Sequence, residues 1–279
     1  MRDIDIKDIK NIKPEEFGSG SPIKVQIVES LTDLDYQMAL VMFETIVRNK
    51  KAGKPSMFIV PVGPTGYAKR FAWLVNRNNL SLKDVTIINM DEYMWDEKTL
   101  IEPDHPLSFK WFMNQDFYGK IRDDLNVPQE NRIFPDPENP GRIWEIIQGK
   151  EGGVDVSIGG IGLNGHIAFN EPPLQPMPAE EFAKLPTRVL PIYFTTRVTN
   201  CLEYGGNYKG MPGFCITIGM KEILSAQKLR FYSGRIHSAS IVRQVLHGPV
   251  TSEVPASLMQ THPDCKICCM EDVLTMPVI

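Results

Sequence analysis

Asn164, His166 and Glu171 fall within eight positions of one another in the run Gly159-Gly-Ile-Gly-Leu-Asn-Gly-His-Ile-Ala-Phe-Asn-Glu-Pro172. Imidazole is the side chain whose ordinary pKa lets it move protons near neutrality. A carboxylate a few residues on can fix its tautomer. Glycines ahead of the histidine let the backbone turn tightly and approach a ligand. The strand-like run Val154–Ile158 delivers the chain to this turn. The pattern predicts an active-site loop at the carboxyl end of a sheet strand, with His166 as base and Glu171 as its orienting partner. Gly160, Gly162 and Gly165 also imitate the dinucleotide fingerprint G-x-G-x-x-G. That fingerprint needs a helix to start at its last glycine. Pro172 and Pro173 follow too closely to allow a sustained one. No nicotinamide or flavin site is expected.

Two further segments carry chemistry. Asp91 and Glu92 directly follow the apolar run Val85–Met90. Neighbours on an extended segment point to opposite sides, so one carboxylate should face a site and the other should be structural. A carboxylate against apolar walls has a raised pKa and can take a proton from a C–H next to a carbonyl. Gly63-Pro64-Thr65-Gly66 stands between an apolar strand and a helix. It is either an anion site of backbone N–H groups and a threonine hydroxyl or a tight turn with a helix cap. It lacks the Lys-Ser/Thr ending of a nucleotide P-loop, so ATP and GTP are not expected. Arg197 is a candidate phosphate clamp.

The elements that must position these residues follow from the apolar pattern. Strands are expected at 24–28, 56–62, 85–90, 154–158, 215–218, 228–232 and 266–270, and helices at 34–49, after Gly66, at 109–125 and at 238–246. Strands alternating with helices predict an α/β fold with a mainly parallel sheet and helices on both faces. Ligands bind such sheets at the carboxyl ends of the strands. Loops 63–66, 91–93 and 159–171 share that position and should form one composite site. Residues 94–107 read as a loop and 171–188 as a Pro-rich flap. Residues 1–22 read as a polar N-terminal arm, and 23–279 as a single domain.

Bulk properties exclude other classes. The 279 residues are 42% hydrophobic and 23% charged with a net charge of −4, ordinary for a globular chain. No basic cluster suits nucleic acid, and no apolar run approaches a membrane span. The polar N-terminus is no secretory signal, so a cytoplasmic location is expected. The five cysteines are Cys201, Cys215, Cys265, Cys268 and Cys269; an odd, crowded set is not a disulfide framework. Cys265-x-x-Cys268 with His262 lacks the second ligand pair of a structural zinc site. Lys266–Met270 reads instead as a buried strand, and no metal is expected.

Met90-Asp91-Glu92-Tyr93, Gly162-x-x-Gly165-His166-Ile167-x-Phe169-Asn170-Glu171-Pro172 and Thr196-Arg197-Val198-x-Asn200 together resemble the glucosamine-6-phosphate deaminase family. His105-Pro106 with Ser108, Gly219 before a helix and His262-Pro263 also fit, so the resemblance runs from about residue 24 to 275. It implies a modified Rossmann-like sheet and conversion of glucosamine 6-phosphate to fructose 6-phosphate and ammonia. It also implies that His166 assists ring opening, Asp91 shuttles a proton between C2 and C1, and Glu171 tunes His166. Pro64-Thr65-Gly66 and Arg197 would hold the phosphate. No cofactor is implied; homo-oligomers occur in the family.

Three positions depart from the family pattern. Asn164 stands where some members have Asp and cannot supply charge. Tyr67-Ala68-Lys69 replaces Gly/Ser-Thr-Pro after the Thr-Gly, exchanging two small donors for a bulky phenol. The segment 233–238 lacks the lysine often found near the start of the helix after the strand at 228–232; Arg235 or Lys69 would replace its charge. Proton-transfer chemistry is thus kept while the sugar or its anionic group can differ. The alternatives are a deaminase or isomerase on another sugar phosphate, or a 6-phosphogluconolactonase-like hydrolase, which shares the fold and a Gly-x-x-Gly-His motif.

Overall fold

Short apolar runs bounded by glycine, proline and polar residues form the strands. The computed structural model describes residues 9 and 11–276. Its strands are β1 (Lys24–Val28), β2 (Ser56–Val60), β3 (Val85–Asn89), β4 (Asp91–Met94), β5 (Arg132–Ile133), β6 (Val156–Gly160), β7 (Arg188–Pro191), β8 (Phe214–Thr217), β9 (Leu229–Ser233) and β10 (Cys265–Met270). Seven of them make a parallel sheet in the order β1-β10-β9-β6-β2-β3-β5. The other three make an antiparallel sheet, β4-β8-β7. The helices are α1 (Leu31–Lys51), α2 (Gly66–Arg77), α3 (Phe109–Phe112), α4 (Arg142–Gly149), α5 (Ala179–Phe182), α6 (Phe194–Glu203), α7 (Met220–Leu224) and α8 (Ala239–His247).

Alternation along the strands feeds two cores. In β2, Phe58 and Val60 pack with Leu34, Met38 and Met42 of α1 and Phe71 of α2. Met57 and Ile59 face the other way, toward Ile143 of α4 and Val242 and Val245 of α8. Every residue of β2 is buried, as expected for a strand covered on both faces. Each such aliphatic side chain contributes about 1.5–3 kcal/mol by leaving water. α1 starts at Ser30, whose hydroxyl accepts from the Asp33 N–H, and carries Arg48, Lys50 and Lys51 in its last turn. Both ends suit the helix dipole.

Several elements differ from the sequence expectation. Asp91–Met94 is a strand of the second sheet rather than a loop. Met90 alone separates β3 from β4; its N–H donates to the Val60 carbonyl and its carbonyl accepts from the Ile218 N–H. One residue thus serves both sheets. The helix expected over 109–125 stops at Phe112 and widens into a π turn at Met113–Phe117. That turn sets Phe117 against Phe71, with ring centroids 5.3 Å apart. β5, β7, α4 and α6 carry too short or too mixed an apolar pattern to have been read.

Residues 1–8 and 10 of the N-terminal arm lie outside the described residues. Further along it, Phe17 packs on the α8 side of the sheet and the Gly18 N–H donates to His247 Nε2 at 3.1 Å. Among the described residues no helix is long and apolar enough to cross a membrane.

Asp155, just before β6, ties three elements together. Its carboxylate accepts from the Met57 N–H at 2.8 Å, from Asn49 Nδ2 at 2.7 Å and from Lys150 Nζ at 3.0 Å. Asp155→Ala would deprive the Met57 N–H and Lys150 of this acceptor and leave Asn49 Nδ2 with the Ser56 hydroxyl alone. It is expected to cost about 3 kcal/mol, measured as a lower urea midpoint; an unchanged midpoint would contradict this role.

Candidate active site

A cavity of about 520 Å³ opens where the carboxyl ends of β2, β6 and β9 meet β4 of the second sheet. Gly63, Pro64, Thr65 and Gly66 line it, with Asp91, Gly162, His166 and Arg235. The three chemically loaded segments of the sequence therefore share one site. Asn164 and Glu171 stand behind His166 and hold it.

Glu171 sets the arrangement. It is buried, and an ionised carboxylate can only accept hydrogen bonds. Its Oε2 accepts from Asn164 Nδ2 at 2.6 Å, which turns Asn164 Oδ1 toward His166. That oxygen lies 2.7 Å from His166 Nδ1, and Glu171 Oε2 lies 3.2 Å from the same nitrogen. Two acceptors on Nδ1 require it to carry the proton. In the neutral ring Nε2 is then the free base. Burial pushes the Glu171 carboxyl up, but the hydrogen bond and charge of His166, with Thr196 and Asn164, outweigh it and hold the carboxyl below its ordinary value.

The loop carrying these residues is pinned to β8. The Phe169 N–H donates to Thr217 Oγ1 and Asn170 Nδ2 donates to the Ile167 and Ile218 carbonyls. Gly165 has φ +83° and Ala168 has φ +54°. The alanine is in the left-handed region, which costs an L-residue about 1–2 kcal/mol. The His166 ring lies directly over Gly162: a Cβ there would stand 2.1 Å from Cε1 and 2.2 Å from Nε2.

Asp91 and Glu92 take opposite fates, as alternation on an extended strand demands. Asp91 lines the cavity. Burial, then the neighbouring charge of Glu92, raises its carboxyl well above the ordinary value of 3.8. Glu92 points away and accepts from the Tyr93, Phe109 and Lys110 N–H groups and the Ser108 hydroxyl, all at 2.9 Å. It thereby holds the start of α3, where Ser108 also caps the Trp111 N–H. Burial still moves the Glu92 carboxyl up against those four donors. Tyr93, on the Asp91 side, accepts from Asn200 Nδ2 at 2.9 Å, and both line the cavity.

The residues expected at the anionic end divide. Gly63, Pro64, Thr65, Gly66 and Arg235 line the cavity; Lys69 is exposed on α2 and does not. Arg197 is turned from the cavity: it donates to the Met211 carbonyl at 2.8 Å and to Tyr208 Oη at 3.1 Å, and lies over the Tyr208 ring. Tyr67 does not intrude on the loop; it is fully buried and its hydroxyl donates to the Pro61 carbonyl at 2.6 Å. Asp35 and Ser233 line the cavity too and were missed, while Asn200, which ends the Thr196-Arg197-Val198-x-Asn200 motif, joins them there. Nothing in the local sequence of Asp35 or Ser233 sets them apart from ordinary helix and strand residues.

Cys265, Cys268 and Cys269 lie in β10 and are buried. Among the described residues no group of three or more His, Cys, Asp or Glu could hold a metal ion.

Comparison with known proteins finds relatives along most of the chain. It is 31% identical to a glucosamine-6-phosphate deaminase of Lachnoclostridium phytofermentans over 75% of this chain and 84% of the relative. It is 30% identical to glucosamine-6-phosphate deaminase 2 of Bacillus subtilis over 86% of this chain and 92% of the relative. The solved structure of a monomeric glucosamine-6-phosphate deaminase superimposes with a TM-score of 0.77 at 25% identity, covering 90% of this chain and 98% of that one. A 6-phosphogluconolactonase from Thermotoga maritima reaches a TM-score of 0.64 at 12% identity over 89% of this chain and all of its own, which shows a shared fold alone. No protein-family model matches the chain.

The contact between Gly162 and the His166 ring gives a direct test of the site. Gly162→Ala is expected to displace the ring and lower kcat/KM by about 100-fold, the scale of a misplaced catalytic group, in a chain that still folds. Steady-state assay beside a thermal melt measures both. Activity within a few-fold of wild type would contradict the placement of His166.

Proposed function

The chain belongs to the glucosamine-6-phosphate deaminase family, and from that premise we propose that it catalyses the isomerising deamination of glucosamine 6-phosphate. The products are fructose 6-phosphate and ammonia, with one water consumed. The observation that carries this reading is the pairing in one cavity of a buried Asp91 carboxyl with a histidine whose Nε2 is free.

The pyranose must open before its C2 proton becomes acidic. His166 Nε2 takes the proton of the anomeric hydroxyl, and the same proton passes to the ring oxygen as the C1–O5 bond breaks. Glu171 and Asn164 hold Nδ1–H and so stabilise the transient imidazolium. In the open aldehyde the C2–H bond lies next to the carbonyl. Asp91 takes that proton, the electrons move through C2–C1 to the carbonyl oxygen, and that oxygen takes a proton from the C2 ammonium group, giving a neutral enolamine. Returning the proton to C1 makes a ketimine. Water adds at C2, the C–N bond breaks, and ammonia leaves. Positioned acid–base groups of this kind typically supply about 10²–10⁴ each. The Pro64-Thr65-Gly66 turn would hold the phosphate on backbone N–H groups at the start of α2. In this conformation the Arg197 guanidinium donates to Tyr208 Oη and the Met211 carbonyl.

Purified protein should release ammonia and ketose from glucosamine 6-phosphate, and Asp91→Asn should lower kcat by about 10²–10⁴-fold. Lactone hydrolysis without ammonia would overturn the reading. The acidic limb of kcat/KM should lie above the ordinary carboxylate range, because Asp91 must be ionised to take the C2 proton and burial raises its pKa. The same shift bears on stability. The unfolded chain loses this proton at lower pH than the folded one. The fold is therefore progressively destabilised as pH rises past 3.8, until the native group has itself ionised. Asp91→Asn should accordingly raise the thermal midpoint at neutral pH while lowering kcat; a lower midpoint would contradict the buried-charge assignment.

A further inference from the structure

One wall of the cavity is built from α1, the start of α2 and the end of β9. α2 opens without a side-chain cap, since Thr65 makes no capping hydrogen bond. The carboxylate of Asp35, from α1, stands against its first residue instead. A Cβ on Gly66 would lie 1.8 Å from Asp35 Oδ2 and 2.6 Å from Oδ1, so glycine there is what admits the carboxylate. Asp35 lines the cavity and is half-buried. Burial raises its carboxyl, although Arg70, one turn into α2, draws it down. Gly234 packs against Leu31 and Leu34 of the same stretch of α1, which brings Ser233 to this wall. Ser233 is 4% exposed and lines the cavity, and its hydroxyl has no hydrogen-bond partner.

Beside the exposed Arg235 guanidinium, which draws an anion whatever Asp35 does, the wall offers three kinds of contact: backbone N–H groups of a helix start, a buried unpartnered hydroxyl and a carboxylate. The first two serve a phosphate or a sugar hydroxyl alike. The third distinguishes them. A carboxylate repels a phosphate dianion at short range but accepts a hydrogen bond from a neutral hydroxyl.

Resting on the reaction proposed above, we propose that Asp35 is a specificity-determining residue: it weakens the hold of this wall on a phosphate dianion relative to an uncharged hydroxyl terminus. Ser233 supplies a hydrogen bond to either. The enzyme therefore discriminates less sharply between a phosphorylated amino sugar and its unphosphorylated counterpart than the helix start alone would dictate.

Calorimetric binding of glucosamine 6-phosphate and of glucosamine, in full-length protein carrying Asp91→Asn to block turnover, tests this. Adding Asp35→Asn, which keeps the shape, should tighten glucosamine 6-phosphate by about tenfold or more, the effect of one removed like charge. Glucosamine should be unaffected. Asp35→Ala should shift the phosphorylated ligand in the same direction, which separates charge from packing. Unchanged or weaker binding of glucosamine 6-phosphate in both variants overturns the proposal, as does equal tightening of both ligands or failure of either ligand to bind. Ammonia release is assayed separately with Asp91 intact, so failure of the reaction itself shows there and not in the binding comparison.

Discussion

An ionised carboxylate cannot donate a hydrogen bond, and the catalytic loop depends on that restriction at Glu171. Because Oε2 must accept, Asn164 presents its amide nitrogen to it and its oxygen to His166. Because that oxygen must accept, Nδ1 of the ring carries the proton. A neutral asparagine suffices for this orientation, so its presence in place of aspartate removes a charge without removing the geometry. The rest of the loop serves the same end. Gly162 leaves room for the ring, Asn170 and Phe169 tie the turn to β8, and Ala168 accepts a left-handed backbone.

The second constraint is the alternation of β4. Adjacent carboxylates cannot share a side of an extended strand, and here the difference between their sides is total. Glu92 has four donors and anchors α3. Asp91 has the apolar wall of a cavity and the charge of its neighbour. A buried carboxylate left short of donors is unfavourable for folding, and that same environment makes it a stronger base. Catalytic groups commonly carry such a stability cost. The parallel sheet, covered on both faces by α1, α2, α4 and α8, supplies the stability that tolerates it.

Much of this was legible in the chain. Buried parallel strands such as β2 are unbroken apolar runs and announce themselves. The meeting of 63–66, 91–93 and 159–171 follows from where such strands end. The opposite roles of Asp91 and Glu92 follow from strand geometry alone. What could not be read depended on distant partners. β4 looks like the tail of β3 until β8 is there to pair with it. The helix expected over 109–125 widens at Met113–Phe117, where Phe117 stacks on Phe71 of the distant α2. Tyr67 looked like an obstruction in the anion loop, yet the Pro61 carbonyl and the core take it inward. Arg197 matched a clamp in type and context, but Tyr208 and Met211 occupy its guanidinium. Asp35 gave no signal, since a carboxylate on an amphipathic helix ordinarily faces water.

The central claim is that Glu171 and Asn164 hold His166 with its proton on Nδ1 and Nε2 free for the sugar. Nitrogen NMR of ¹⁵N-histidine-labelled protein, with His166 assigned by its loss in His166→Gln, reads this directly at a pH where the ring is neutral. The account predicts a protonated Nδ1 and an unprotonated Nε2 for His166. A resonance pair showing the proton on Nε2 would contradict it.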